Sequence, residues 1–180
     1  PTNRRFHAQP NACPKCGPQV ELLDNTGTLL CQQNDAIERT VEFLRSGNII
    51  ALKGIGGLQL LVDAENDDAV KKLRSRKQRE EKPFALLFPS IEEVTNYCKV
   101  SPAEERWLLS PQAPIVLLER LDQTNIAESV APNNPNLGVM LPYSPLHHII
   151  LSQLKKPLVA TSGNLSDEPI CIDNYEALNR

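Results

Sequence analysis

Cations are concentrated in one segment of this chain, between residues 71 and 83. Seven of the twelve residues 71–82 are lysine or arginine and two are glutamate, although the whole chain of 180 residues has a formal net charge of −3. A focused positive patch on an acidic protein is typical of a binding site for a small polyanion. Within it, Lys77, Arg79 and Lys82 precede Pro83 with the spacing Lys-x-Arg-x-x-Lys-Pro. Lysine supplies a point charge and arginine a forked set of donors, so together they can hold several oxygens of a polyphosphate.

The same charges have a simpler interpretation. Cations at the end of a helix complement its dipole without binding a ligand. We interpret four upstream cations in this way, as solvated positions of a helix: Lys71, Lys72, Arg74 and Arg76. Lys77 and Arg79 are two residues apart in a segment that we expect to be non-helical. These two residues and Lys82 remain candidates for chemistry.

A second polar cluster, Thr161-Ser162-Gly163-Asn164, follows the apolar segment 157–160. Its hydroxyls, amide and flexible backbone N–H groups would lie at the carboxyl end of a strand, where open α/β sheets bind ligands. The same residues also make an ordinary turn. Lys53, followed by the glycine-rich residues 54–57, offers another close approach of the backbone, although neither GxGxxG nor GxxxxGK[ST] occurs in the chain.

Histidine and cysteine pairs give two further candidates. His147 and His148 are adjacent in an expected helix and must face different directions, so both cannot line one site. Cys13 and Cys16 form a CxxC followed by glycine, the form of a zinc knuckle. Structural zinc needs four ligands, and Cys31 is a third only by spacing. We therefore interpret Cys13 and Cys16 as half of a zinc site, and expect less than one equivalent of zinc in this chain.

Composition excludes several classes of protein. The chain is 41% hydrophobic and 23% charged, as expected for one globular domain with a short appendage. No apolar run approaches the roughly 20 residues that cross a bilayer, and no signal peptide is visible. The acidic balance argues against a broad nucleic-acid surface. Five cysteines, an odd number, fit a reducing cytoplasm better than a disulfide framework.

Strands and helices are predicted to mingle along the chain. Residues 1–20 show no regular period and read as the appendage. A capping-box pattern, Asp35 to Glu38, predicts the start of a helix with an inner stripe of Ile37, Val41 and Leu44. Four polar residues predict further helix starts: Asn66, Ser90, Ser101 and Ser144. Short apolar segments predict strands at 48–53, 58–63, 84–88, 115–118, 137–141 and 157–160. This mixture predicts an α/β or α+β fold with a mostly buried mixed sheet.

The order and spacing of these motifs resemble the YrdC-like family. Its signature is K-x-R, then K-P, then S-x-N after an apolar strand, which here falls on Lys77, Arg79, Lys82, Pro83, Ser162 and Asn164. Residues 53–57 and 138–148 resemble more closely the YrdC-like domain of hydrogenase-maturation carbamoyltransferases, the HypF family, and residues 4–18 resemble the end of the second zinc finger of those proteins. The resemblance implies an open, twisted mixed β-sheet flanked by helices, with a basic concave ATP site, and a superfamily associated with double-stranded RNA binding.

The resemblance also implies a division of the chain. Residues 1–20 would be the remnant of a zinc-finger segment, and residues 21–180 a YrdC-like ATP-binding domain that we expect to extend past residue 180. A larger protein would add Zn²⁺, an acylphosphatase-like domain that makes carbamate from carbamoyl phosphate, and a kinase-like transfer domain. The transfer domain would pass the carbamoyl group to the hydrogenase maturation protein HypE, for later conversion to cyanide ligands of a nickel–iron centre.

The activity implied by the resemblance is formation of carbamoyl-adenylate from ATP and carbamate, with Mg²⁺. The implied catalytic residues are Lys53, Lys77 and Arg79. The implied ATP-binding residues are Lys77, Arg79, Lys82, Thr161, Ser162 and Asn164. Tyr143 and His147 are the implied substrate-binding residues.

Two alternatives stay open. One is threonylcarbamoyl-adenylate synthesis for tRNA modification, carried out by other members of the family. Those members have Val-Arg-x-Pro where this chain has Val139-Met140-Leu141-Pro142, and Tyr-Pro-Thr where it has residues 53–57. The other alternative is a non-catalytic RNA-binding module. One tryptophan, three tyrosines and four phenylalanines leave few side chains for stacking on bases.

Overall fold

The computed structural model describes residues 17–165 and 168–179. The strands in these ranges are β1 (Glu21–Leu23), β2 (Leu29–Gln32), β3 (Ile50–Gly54), β4 (Gly57–Asp63), β5 (Ala85–Leu87), β6 (Val116–Glu119), β7 (Asn136–Met140) and β8 (Leu158–Ser162). The α-helices are α1 (Gln33–Arg45), α2 (Asp67–Lys77), α3 (Ile91–Thr95), α4 (Pro102–Leu108), α5 (Pro145–Leu154) and α6 (Asn174–Asn179). A 3₁₀ turn covers Glu128–Val130. None of the helices in the described ranges is long and apolar enough to cross a membrane.

Six strands form one mixed sheet in the order β3-β4-β8-β5-β7-β6, beside a separate β1–β2 pair. Neighbouring strands of the sheet are antiparallel except for β5 and β7, which are parallel. Strand β8 is the link between the two halves, because it pairs with β4 on one side and with β5 on the other. The predicted class, a mixed sheet flanked by helices, is confirmed.

Each face of the sheet packs against its own helices. On one face, Val70 and Leu73 of α2 join Val159 of β8 in a core that also takes in α3 and α4. On the other face, Leu44 of α1 and Leu151 of α5 pack in the same way with further residues of the sheet. Burial of a large apolar side chain is worth roughly 1.5–3 kcal/mol, so the two cores hold the sheet from both sides.

Most of the predicted helix starts are confirmed. Asn66 accepts from the backbone N–H of Ala69, and Ser90 and Ser144 cap α3 and α5 in the same manner. Ser101 forms a reciprocal capping box with Glu104. These caps are local in sequence, which is why the residue pattern reveals them.

The predicted cap at Asp35 is wrong. Helix α1 begins at Gln33, and its N-cap Gln32 makes no side-chain cap hydrogen bond. Strand β2 runs directly into the helix because Gln32 pairs with Glu21 and the N–H of Gln33 donates to Val20 O at 2.9 Å. Asp35 therefore lies in the first helical turn. The inner stripe was predicted correctly, and its three residues Ile37, Val41 and Leu44 are buried.

Arg74 is not a solvated helix position, and that interpretation is wrong. Its guanidinium lies 4.8 Å from the centre of the Phe84 ring. Its N–H groups donate to five backbone carbonyls, those of Ser129 (2.7 Å), Arg79 (2.9 Å), Glu80 (3.0 Å), Val130 (3.2 Å) and Lys82 (3.3 Å). Arg74 thus fastens the cationic loop 78–83 to α2 and to the 3₁₀ turn. Lys71, Lys72 and Arg76 are exposed, as expected.

Arg74→Ala should destabilise the fold by roughly 2–4 kcal/mol, because hydrogen bonds from a charged donor are strong and five carbonyls lose one. Arg76→Ala is the matched control on an exposed position of the same helix, and should change stability by less than about 0.5 kcal/mol. Urea unfolding followed by circular dichroism measures both. Equal effects of the two substitutions would contradict this account of Arg74.

Candidate anion-binding site at the end of the central strand

Lys77 joins the two sequence motifs into one site. It is the last residue of α2 and is only 4% exposed. Its ammonium donates to Ser162 O at 2.6 Å, Asn164 O at 2.6 Å and Asn164 Oδ1 at 3.2 Å. Burial, and then the charge of Arg79, lower the pKa of Lys77 from its ordinary value. The expected meeting of Lys77 with Ser162 and Asn164 is therefore present, with the lysine holding the turn.

The turn after β8 is held by its own polar groups as well. The Ser162 hydroxyl donates to Asn164 Oδ1 at 2.5 Å, and the Asn164 amide donates to Glu168 O. The N–H of Gly163 donates to Leu58 O at 2.7 Å. Thr161 is buried in β8, 9% exposed. Donors and acceptors at the carboxyl end of the central strand are thus held in fixed positions.

Arg79 lies beside Lys77 in the loop after α2. Its Nε donates to Lys82 O at 2.9 Å and one terminal nitrogen donates to Pro83 O at 2.5 Å. Its guanidinium also lies 4.8 Å from the centre of the Phe84 ring. Burial, and then the charge of Arg74, lower the pKa of Arg79 from its ordinary value. Because positive groups crowd here and disfavour one another's charge, the site is suited to an anion.

Lys82 is exposed, and its backbone carbonyl, rather than its side chain, takes part in the contacts of the loop. Lys77 is helical rather than part of an extended segment, so the expected non-helical alternation of Lys77 and Arg79 is wrong. Gln78 caps the carboxyl end of the helix, and its φ of 51° turns the chain and brings Arg79 back over Phe84.

Lys53 lies on the hairpin that adjoins the turn. It is opposite Leu58 in the β3–β4 pair. The Leu58 carbonyl accepts from the N–H of Gly163, and the Leu58 N–H donates to Cys171 O at 2.8 Å. The exposed ammonium of Lys53 donates to Asn174 Oδ1 at 2.7 Å. Gly57 has a φ of +131°, and a Cβ there would lie 3.0 Å from Cys171 O, so the tight approach requires glycine.

Tyr143 and His147 meet at the start of α5 through a residue that sequence reasoning missed, Gln59. The Gln59 amide nitrogen donates to the Tyr143 hydroxyl, and Gln59 Oε1 lies 3.0 Å from His147 Nε2. The Tyr143 and His147 rings are in edge contact at 4.6 Å. Gln59 is directly opposite Ser162 in the β4–β8 pair, so these groups share a sheet face with the turn. A glutamine inside the apolar run 58–62 was the available signal.

The two histidines diverge, as expected. His147 is 1% exposed, whereas His148 is exposed. Burial, and then the charge of His148, lower the pKa of His147.

The predicted half zinc site, Cys13 and Cys16, lies outside the described residues. Within the described ranges, no group of three His, Cys, Asp or Glu side chains is arranged to hold a metal ion. Cys31, the residue weighed as a third ligand, is a free thiol, as is Cys98.

Comparison with known proteins decides the family. The profile of the Sua5/YciO/YrdC family, described as "Telomere recombination", matches residues 42–180, most of the chain. The chain belongs to this family. A second profile, the HypF finger, matches residues 1–23. Both parts of the predicted resemblance are therefore confirmed, the Sua5/YrdC domain and the finger of HypF proteins.

Individual relatives of this Sua5/YciO/YrdC chain divide into two groups. The carbamoyltransferase HypF of Synechocystis sp. is 49% identical over 162 residues, which are 90% of this chain and 21% of the relative. A crystal structure of full-length HypF in a phosphate- and nucleotide-bound form is 47% identical, with a TM-score of 0.85 over 99% of this chain and 23% of that one. The threonylcarbamoyl-AMP synthase of Vibrio parahaemolyticus is more distant, 28% identical over 79% of each chain. The chain spans about a fifth of the length of the HypF relatives.

Gly163→Ala should destabilise the protein by about 1–3 kcal/mol, the usual cost of overpacking. A Cβ at Gly163 would lie 2.9 Å from Leu58 Cβ and 3.0 Å from Leu58 O, so the backbone would have to move. Gly56→Ala is the matched control, because a Cβ there has no atom within 4 Å in the part of the chain that the structure describes. Urea unfolding compares the two variants. If Gly163→Ala were as stable as the unmodified chain, the backbone of the turn would move at no cost, which would contradict this prediction.

Proposed function

We propose that this chain is the ATP-activating domain of a longer HypF-type carbamoyltransferase, in which carbamate and ATP give carbamoyl-adenylate and pyrophosphate. One observation supports this above the others. Lys77, partly desolvated, donates to the turn that carries Ser162 and Asn164, and Arg79 lies near enough for its charge to lower the pKa of Lys77. A relative 47% identical has been solved in a phosphate- and nucleotide-bound form, which supports a nucleotide as the anion.

In the proposed reaction, a carbamate oxygen forms a bond to the α-phosphorus of ATP. The bond from that phosphorus to the bridging oxygen breaks, and its electron pair leaves with pyrophosphate. Negative charge accumulates on the leaving group, so positioning and charge neutralisation supply most of the catalysis.

Three cations divide this task in our proposal. Arg79 and Lys82 contact the phosphates, because donors remain on the guanidinium beyond those engaged with the loop backbone. The three N–H groups of Lys77 match three oxygens of the turn, so Lys77 contributes positive charge and holds the turn in place. Thr161, Ser162 and Asn164 bind the nucleotide from the turn.

Mg²⁺ belongs to the proposal as the partner of ATP. It dehydrates reluctantly and is commonly held by substrate phosphates with one or two protein oxygens. At this end of the sheet, the Ser162 hydroxyl oxygen would be the protein ligand of the ion. The ion would neutralise charge on the triphosphate.

The remaining site residues would bind the carbamate. Lys53 would attract it, or the α-phosphate, from the hairpin edge. Tyr143 and His147 would bind it from the α5 side of the sheet, where Gln59 lies opposite Ser162.

The rest of the proposal concerns the longer protein. We propose a zinc-finger remnant over residues 1–20, with Cys13 and Cys16 as two ligands of Zn²⁺, and an ATP-binding domain over 21–180; the HypF finger match supports the first. An acylphosphatase-like domain would supply carbamate from carbamoyl phosphate, and a kinase-like domain would transfer the carbamoyl group to HypE for nickel–iron hydrogenase maturation. The proposed location is the cytoplasm, which the free thiols Cys31 and Cys98 support.

Two alternatives are weaker. Threonylcarbamoyl-AMP synthesis would need a group for the threonine carboxylate. The position that resembles the family's arginine is Met140, which is 7% exposed and packs into the core of the α1/α5 face. The RNA-binding reading, including the association with double-stranded RNA, gains no support from the named relatives, which are carbamoyltransferases and threonylcarbamoyl-AMP synthases.

Mg-ATP should raise the thermal midpoint of the chain, because a ligand that binds only the folded state stabilises it. Lys77→Ala combined with Arg79→Ala should abolish the shift. Since that double variant removes structural contacts, Lys82→Ala is the milder test. It should weaken ATP binding about two- to fivefold with little effect on unliganded stability, as expected for an exposed charge.

Lys72→Ala, an exposed lysine on α2, is the control and should leave ATP affinity unchanged. Calorimetric titration measures the affinities. A full ATP response in the Lys77/Arg79 double variant would overturn the site.

Exchange of labelled pyrophosphate into ATP should require carbamate. The 180-residue chain can be assayed in ammonium bicarbonate, which contains carbamate at equilibrium, and the longer protein with carbamoyl phosphate. Sodium bicarbonate at the same concentration should support no exchange. Exchange that requires threonine with bicarbonate would favour threonylcarbamoyl-AMP synthesis, and tight RNA binding without any ATP response would favour the RNA-binding module.

A further inference from the structure

Gln59 is a polar side chain inside the apolar run 58–62 of strand β4. Its neighbours in β4 include Leu58, Leu60 and Leu61, and the buried strand β8 lies directly beside it. Both ends of its amide are engaged, the nitrogen with the Tyr143 hydroxyl and the oxygen with His147 Nε2 at 3.0 Å. Gln59 thus connects β4 to two side chains at the start of α5 that are 84 and 88 residues away from it along the chain.

The surroundings of His147 assign the direction of these hydrogen bonds. His147 Nδ1 is buried and has no hydrogen-bond partner among the described residues. An unsatisfied buried N–H is rarer in proteins than an unsatisfied acceptor, so the ring proton belongs on Nε2. Nε2–H then donates to Gln59 Oε1. The Gln59 amide is thereby oriented with its NH₂ group toward Tyr143.

The same hydrogen bonds determine whether the Tyr143 hydroxyl donates to a ligand or accepts from it. Its oxygen accepts from Gln59, so the hydroxyl hydrogen is directed elsewhere. Tyr143 is 39% exposed, and Gln59 is directly opposite Ser162, so a ligand held at the turn is within reach of this side of the sheet. These hydrogen bonds form a relay from His147 through Gln59 to Tyr143. The relay ends in a hydrogen-bond donor, the hydroxyl of Tyr143.

We infer that Gln59 is a positioning residue that fixes the Tyr143 hydroxyl as a donor to the non-attacking oxygen of the carbamate. The inference rests on the proposed function. A carbamate shares one negative charge between its two oxygens, and the donor would hold one oxygen while the other meets the α-phosphorus. No bond to Tyr143 forms or breaks, and no proton leaves the relay. The arrangement selects a substrate that presents an acceptor oxygen at this point.

The direction of the relay can be tested without any activity. Long-range ¹H–¹⁵N correlation spectra of the 180-residue chain at pH 8 distinguish the two neutral tautomers of histidine. The His147 ring should carry its proton on Nε2, and the His147→Gln variant identifies its signals among those of the three histidines. Gln59→Leu should shift these signals and leave those of His148 in place. A proton on Nδ1 would reverse the relay and overturn the inference.

The role in binding can be tested by pyrophosphate exchange in ammonium bicarbonate. Tyr143→Phe should raise the KM for carbamate about tenfold with the KM for ATP unchanged, because one hydrogen bond to a charged acceptor is lost. Gln59→Leu should have a similar effect. In the Tyr143→Phe background, Gln59→Leu should add little, since both changes remove the same contact.

Gln112→Leu, at an exposed position, is the control and should change neither KM. Fully additive effects of the two substitutions, or an unchanged carbamate KM in Tyr143→Phe, would overturn the inference while leaving the proposed function intact. Absence of exchange in the unmodified chain, together with absence of ATP binding, would instead defeat the proposed function, and the tautomer measurement would still decide the direction of the relay.

Discussion

The site depends on one buried ammonium group. Lys77 ends α2 and donates to three oxygens of the turn after β8, so a single side chain ties the helix on one face of the sheet to the end of its central strand. These oxygens carry no formal charge, and burial lowers the pKa of the lysine. A charge held in this way is costly unless the geometry is good. The cost is tolerable in a site whose ligand is itself an anion.

The surrounding structure gives that contact its rigidity. Arg74 and Arg79 both lie over the Phe84 ring, and Arg74 bonds the carbonyls of the loop that carries Arg79. The cationic loop is thus packed against the protein through Arg79, whereas Lys82 is exposed. On the other side, Leu58 bonds Gly163 and Cys171, which fixes the glycine hairpin against the turn. Preorganised charges are worth more to a reaction than mobile ones, because little reorganisation is needed.

Local features of the fold were predictable from sequence, whereas features that depend on distant contacts were not. Caps such as Asn66 and Ser101 use neighbours three residues away, and the sequence pattern reveals them. Lys77 and Ser162 were paired because both match a family signature. They are far apart along the sequence, and no local pattern connects them. The role of Arg74 was missed because it appears only when residues 79–82 fold back over the helix. Gln59 was missed because its partner Tyr143 is 84 residues away along the chain.

The position of β8 has a consequence for the order in which the protein can fold. Of the six strands in the sheet it is the last to be synthesised, yet it lies between β4 and β5 and links the two halves. Until residue 162 is available, the β3–β4 hairpin has no partner to join it to the other three strands. Pairings such as Leu60 with Thr161 span about a hundred residues, and contacts of this kind form slowly. Between the synthesis of residue 87 and that of residue 158, the nascent chain therefore has two strand edges that lack their partner β8, and the sheet and the anion site are completed in the same step.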